Sequence, residues 1–281
     1  MVVILDGYAP AQEVLTELRV EVDLLKNRGI SPCLALIQTI RDKQSIRVAK
    51  HKKKQAEKTG IALKIFHLPD STQKDLIKLI DNLNRDPDIH GIFIQMPLQD
   101  KLNEFKLVSA IAPEKDVDAL SPTSMGKILL GSQTFRPAGI EAVFKLLEYY
   151  KIKSEGKHWV ILGSSNYLCK PLALVLMNKK ISMTFCPDFG PDVISRVKSA
   201  DVLCVEVFRR HIIGSDMVKD GVVIIDFGNN YENGSVYGDV DVSEKAAAVT
   251  PVPGGVGPLV IAMLLKNTVD AAWHSFYGCQ V

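Results

Sequence analysis

Apolar positions in the first half of the chain follow two different spacings. Val14, Leu15, Leu18, Val22 and Leu25 recur at helical intervals, which predicts a helix over Ala9–Asn27 that stops near Gly29. Mainly apolar runs follow at Cys33–Ile40, Leu63–Leu68 and Ile89–Met96, the last closed by Pro97, with a helically periodic segment at Leu76–Leu83. Runs this short and this apolar suit strands covered on both faces. A second round begins at Lys157, with strands expected at His158–Leu162, Ile181–Cys186, Val202–Val207 and Val222–Asp226 and a helix at Pro171–Met177. A helix over Glu141–Tyr150 joins the rounds, and another runs from Leu259 to Trp273. Strands alternating with helices predict an α/β fold built as two lobes with a cleft between them. The expected division places 1–138 plus 259–281 in one lobe and 139–258 in the other.

Composition narrows the function classes. In 281 residues, 47% apolar content supplies a sizeable core, and 23% charged residues describe an ordinary globular chain. A formal net charge of +2 is too small to argue for a nucleic-acid or membrane-surface partner, and neither is expected. No apolar run reaches the roughly 18 residues that span a bilayer. Asp6 and Glu13 interrupt any leader-like apolar stretch, so a cytoplasmic protein is expected. The five cysteines (Cys33, Cys169, Cys186, Cys204, Cys279) are odd in number and form no C-x-x-C pair; Cys33, Cys186 and Cys204 sit in apolar runs and read as reduced core thiols. The six histidines show no metal-ligand spacing, and no metal site is expected.

The run Lys50-His51-Lys52-Lys53-Lys54 invites a nucleic-acid reading, but helical geometry separates its members. At about 100° per residue, Ser45, Val48, Ala49, Lys52 and Ala56 share one arc, while Lys50, Lys54 and Lys58 point the other way. Lys52 is therefore the lysine on the small, apolar side. Residue spacing leaves two readings: a partly desolvated proton carrier, or a snorkelling surface lysine.

Longer motifs bear on that choice. Ser45–Lys52 resembles, without gaps, the pattern S-x-x-Y-V-x-x-K of the bifunctional methylenetetrahydrofolate dehydrogenase/cyclohydrolase family, with Val48 and Ala49 at the tyrosine and valine positions. His90–Leu98 is similar to the family's D-G-I-L-V-Q-L-P-L-P, Lys115–Asp118 to its K-D-V-D-G with Ala119 at the glycine, and Thr250–Pro258 reproduces T-P-V-P-G-G-V-G-P unbroken. The resemblance spans nearly the whole chain. It implies an N-terminal α/β folate domain and a Rossmann-like nucleotide domain, a tetrahydrofolate derivative as substrate, NAD or NADP as cofactor, and a homodimer. It further implies Lys52 as catalytic acid/base, Gln95 as its orienting partner and Asp118 as the pterin anchor. Val48, Pro253, Gly254 and Gly255 fall at folate-binding positions.

The nucleotide half departs from the pattern. The loop G-R/A-S-x-x-V-G-x-P reads Gly163-Ser164-Ser165-Asn166-Tyr167-Leu168-Cys169-Lys170-Pro171, so Gly163, Ser164 and Ser165 remain at cofactor positions while Cys169 replaces a glycine and is expected to crowd the phosphates. C-H-S-K/R-T becomes Cys186-Pro187-Asp188-Phe189-Gly190, V-A-V-G-x-P becomes Val205-Glu206-Val207-Phe208-Arg209-Arg210, and D-V-G-I-N becomes Asp226-Phe227-Gly228-Asn229-Asn230. Asp188 is placed to bind a ribose diol and to repel a 2′-phosphate, which favours NAD over NADP; Asn229 is the remaining cofactor-binding candidate. The implied chemistry is conversion of 5,10-methylene- through 5,10-methenyl- to 10-formyltetrahydrofolate, with the cyclohydrolase step retained better than the dehydrogenase step. The rival reading is a catalytically impaired paralogue that binds folate or a partner.

Overall fold

The computed structural model describes residues 2–132, 135–242 and 244–278; Cys279 lies outside them. The chain forms two compact units, Gln12–Ala138 with Ile261–Val281, and Met1–Ala11 with Gly139–Val260. The expected division put the first eleven residues with the folate lobe. They join the other unit because Val3 and Ile4 pair in parallel with Ala248 and Val249. Such short strands carry no periodicity for a sequence reading to detect.

After β1 (Val3–Ile4), the first half runs α1 (Tyr8–Lys26), β2 (Cys33–Gln38), α2 (Lys43–Thr59), β3 (Ala62–His67), α3 (Gln73–Arg85) and β4 (Gly91–Ile94), then the short helices α4 (Glu104–Val108) and α5 (Pro122–Leu129). Strands β2, β3 and β4 make a parallel sheet in the order β3-β2-β4. The chain moves from β2 to one neighbour and then crosses to the other. Its order thus reverses between β2 and β4, and the carboxyl ends of that pair mark a ligand crevice in open α/β sheets. Helix α3 follows its periodicity, burying Leu76, Ile80 and Leu83 behind a Thr72–Asp75 capping box. Helix α2 is much more polar. Asp42 caps its start by accepting from the Ser45 N–H, and Gly60, at φ +80°, ends it.

The second half runs α6 (Ala138–Tyr149), β5 (Trp159–Gly163), α7 (Cys169–Asn178), β6 (Met183–Cys186), α8 (Val193–Lys198) and β7 (Val202–Glu206), followed by β8 (Ile213–Gly214), β9 (Val223–Asp226), the hairpin β10 (Asn230–Glu232)–β11 (Ser235–Tyr237), β12 (Val240–Asp241), β13 (Ala248–Val249) and α9 (Val256–Tyr277). A six-stranded parallel sheet has the order β1-β13-β9-β7-β5-β6. Leu162, Leu203, Val205 and Ile224 pack one face with Val193 and Val197 of α8. Here the order reverses between β5 and β7, and the register sets Gly163 beside Glu206 at their carboxyl ends. Among the described residues no helix is long and apolar enough to cross a membrane, and no cluster of three His, Cys, Asp or Glu side chains is arranged to hold a metal ion.

Candidate active site

Helix α2 buries Ala49, Lys52, Ala56 and Thr59, so three members of the expected arc are buried, while Ser45 is partly exposed and Val48 exposed. Lys52 is only 7% exposed. Its Nζ donates to Gln95 Oε1 at 3.1 Å, and Gln95 Nε2 donates to the Ser45 carbonyl at 2.9 Å. Gln95 directly follows β4 and is itself buried, so its amide ties the strand end both to the lysine and to the first turn of α2. Burial pushes Lys52 down to about 8, and the nearby Asp118 charge opposes that shift.

Asp118 lies on the loop after a single 3-10 turn, Pro113–Lys115. Burial pushes its carboxyl up to about 7, against the Ala138 N–H that donates to Oδ1 at 3.0 Å; the neighbouring Asp116 raises it further and Lys52 lowers it. Asp116 has a structural task, accepting from Ser121 N at 2.9 Å and Ser124 Oγ at 2.6 Å. Ala119, at the family's glycine position, is fully buried with φ +52°, a conformation in which glycine is unstrained. Val48 occupies the rim of the buried arc, 39% exposed. Two polar atoms at the end of β2, Gln38 Nε2 and Thr39 Oγ1, are buried with no protein partner, as expected of a site that receives polar groups.

Residue-by-residue reading missed Phe93. Its half-buried ring lies 4.6 Å from Lys52 Nζ, within cation–π range. Only the period-two alternation of β4, which turns residues 93 and 95 to the same face, hinted at it.

The remaining candidates belong to the other unit. The turn at Pro251–Gly255 is explained in part by packing within that unit. The Gly7 N–H donates to the Gly254 carbonyl at 2.9 Å, and a Cβ on Gly255 would meet the Pro251 carbonyl at 2.6 Å. Gly255 is buried, whereas Pro253 is exposed and Gly254 partly so.

In the nucleotide loop, Gly163 adopts φ +135°, and a Cβ there would strike the Glu206 carbonyl at 2.3 Å. Ser164 is exposed. Ser165 turns inward, accepting from Leu168 N at 3.2 Å and Cys169 N at 3.1 Å and donating to the Glu206 carboxylate. Cys169 does not crowd the loop mouth, contrary to expectation. The first residue of α7 faces the core, its thiol is fully buried 3.4 Å from Glu206 Oε2, and burial pushes it up to about 12. Glu206 is 5% exposed and pushed up to about 7 by burial. Ser165, Cys169 and Tyr167 donate to it and Asp239 adds a like charge, so no cation is among the groups that act on it most.

Asp239, fully buried, accepts from the N–H groups of Val207, Phe208 and Arg209 and from Asn230 Nδ2. These bonds hold Phe208 at φ +54° with its ring half-exposed. Asp188 is exposed and pairs with Arg209 at 3.3 Å, so the charge expected to repel a 2′-phosphate has a cationic neighbour. Asn229 is exposed on the turn after β9. The loop thus suits close approach of a nucleotide at Gly163 and Ser164.

Two family profiles match the chain: the tetrahydrofolate dehydrogenase/cyclohydrolase catalytic domain over residues 5–118, and the NAD(P)-binding domain of the same family over residues 137–276. A protein described as bifunctional protein FolD from Thermodesulfovibrio yellowstonii is 42% identical over 274 residues, covering 96% of each chain. The crystal structure of a bifunctional FolD methylenetetrahydrofolate dehydrogenase/cyclohydrolase from Campylobacter jejuni superposes with a TM-score of 0.93 at 39% identity, covering 98% of this chain and 99% of the other. A Trypanosoma brucei methylenetetrahydrofolate dehydrogenase-cyclohydrolase, solved with NADP and an inhibitor, gives a TM-score of 0.92 at 31% identity and covers 98% of both chains.

Proposed function

Because the chain belongs to the tetrahydrofolate dehydrogenase/cyclohydrolase family, an enzyme family of folate one-carbon interconversion, we propose that its principal reaction is hydrolysis of 5,10-methenyl- to 10-formyltetrahydrofolate. The observation that carries this reading is the buried amine of Lys52, held at 3.1 Å by the Gln95 amide and poised near neutrality beside Asp118. Hydrolysis needs a base to take a proton from water as its oxygen adds to the methenyl carbon. It then needs an acid to return that proton to nitrogen as one carbon–nitrogen bond breaks, while the added hydroxyl loses its own proton to water and becomes the formyl carbonyl. A single amine with a pKa of about 8 serves both steps. Asp118 is assigned to the pterin and Val48 to the folate surface of the same unit, while Pro253, Gly254 and Gly255 are assigned to folate binding on the family resemblance alone.

The dehydrogenase step, which needs NAD or NADP, is assigned lower efficiency. The buried carboxyl of Glu206 and the half-exposed Phe208 ring, both at the end of β7, support that ranking. Asp188 favours NAD over NADP, and Arg209 moderates the preference. The protein is assigned to the cytoplasm as a homodimer, as the family resemblance implies.

The test is loss of methenyltetrahydrofolate absorbance with purified protein in the absence of nucleotide. Lys52→Ala should lower that turnover by about 10²–10⁴-fold. Unchanged turnover removes Lys52 from the mechanism.

A further inference from the structure

Glu206 takes part in no step proposed above, yet it occupies the place where an open parallel sheet receives its ligand. It is the last residue of β7, level with Gly163 of β5, and the order of strands reverses between these two. Its side chain extends beneath the loop that would meet a dinucleotide's phosphates. The Leu168 and Cys169 N–H groups at the start of α7 donate to Ser165 Oγ, and Ser165 in turn donates to Glu206. Cys169 contributes its thiol to the same carboxylate oxygen. Donors that would serve an incoming phosphate therefore end, through one hydroxyl, on an acceptor of the protein's own. Asp239, a fully buried carboxyl, adds a like charge to Glu206. The groups that act on Glu206 most are thus hydroxyls, a thiol and one other acid.

We propose that Glu206 is an internal anion that closes the nucleotide loop and sets the chain's affinity for NAD and NADP. The proposal rests on the assignment of this unit as the nucleotide domain and goes beyond it by naming the residue that weakens binding. The carboxylate acts twice: its charge opposes a pyrophosphate, and its hydrogen bond holds Ser165 turned inward. Removing the charge should release the first effect, and removing the side chain should release both.

Isothermal titration of the full-length protein with NAD and with NADP, at a pH well above 7 where the carboxyl is ionised, separates these contributions. Glu206→Gln keeps the shape and the acceptor for Ser165 and should bind either nucleotide more tightly. Glu206→Ala should bind at least about tenfold more tightly than the natural chain, since placing like charges together is costly. Thermal melts of the same samples establish that both variants are folded, and the isosteric Gln variant keeps the test informative should Ala unfold. Nucleotide affinity unchanged in folded Gln and Ala variants overturns the proposal. Failure of the hydrolytic reading is a separate outcome, seen as absent nucleotide-free turnover whatever these titrations give.

Discussion

The carboxyl ends of β4 and β7 occupy equivalent places in their sheets, since β3-β2-β4 and β6-β5-β7 share one order. Each presents a buried polar residue there, Gln95 just after β4 and Glu206 closing β7. Gln95 is a neutral amide that accepts from Lys52 and donates to the Ser45 carbonyl, so both ends of the group are used. Glu206, when ionised, only accepts, and no cation answers it among its main neighbours. The first arrangement leaves an amine ready to exchange protons. The second leaves a carboxyl that ionises only around neutrality and holds a loop inward. Topology supplies the location in both units, and one atom of difference, amide nitrogen against oxygen, decides what the location does.

Exchanging that atom in the catalytic unit should have the largest effect. Gln95→Glu sets a carboxylate beside Lys52 Nζ, which favours the ammonium and raises the amine's pKa. Turnover near pH 7 should fall about 10–100-fold, and the alkaline limb of the pH–rate profile should move upward. The natural profile is expected to turn near 7 and 8, values that belong to the Asp118–Lys52 pair jointly. A variant profile with unmoved limbs would show that Gln95 does not control the amine.

The reciprocal exchange, Glu206→Gln, is expected to act on stability. The folded-state pKa of Glu206 lies above its ordinary value, so the folded protein binds the proton more tightly than the unfolded chain. Stability from this group is therefore greatest at low pH and is lost as pH rises from about 4.5 through about 7. The neutral amide escapes that loss. Denaturant melts should show the variant gaining up to about 3 kcal/mol at pH 8 and little at pH 4. Equal gains at both pH values would mean that the carboxyl is ionised throughout.

The smallest expected effect concerns Phe93. A ring 4.6 Å from Lys52 Nζ favours the ammonium, so Phe93→Leu should lower the amine's titration midpoint by roughly half a unit to one unit. The shift would be read from the alkaline limb, with KM nearly unchanged. A shift upward would mean that the ring acts mainly by keeping water away.

Much of the fold was legible because it rests on local chemistry. The apolar runs at Cys33–Ile40, Ile89–Met96 and Val202–Val207 contain β2, β4 and β7, and the Leu76–Leu83 periodicity lies within α3. Lys52 was legible because helical spacing alone placed it with Ala49 and Ala56, and the structure buries all three. Cys169 was misread for lack of a local cue, since the direction of its thiol depends on how α7 meets the sheet. Strands β1 and β13, two residues each, exist through pairing with partners far away in sequence.

By itself the sequence determined the α/β class, the periodic helices, the family motifs and which lysine shares an arc with the alanines of α2, because period and residue type act over a few neighbouring positions. Only the tertiary structure decided that Gln95 reaches Lys52, that Phe93 lies under the amine, and that Glu206 fills the end of the second sheet. Those outcomes join residues tens of positions apart, and burial, which sets their protonation, exists only once the strands have paired.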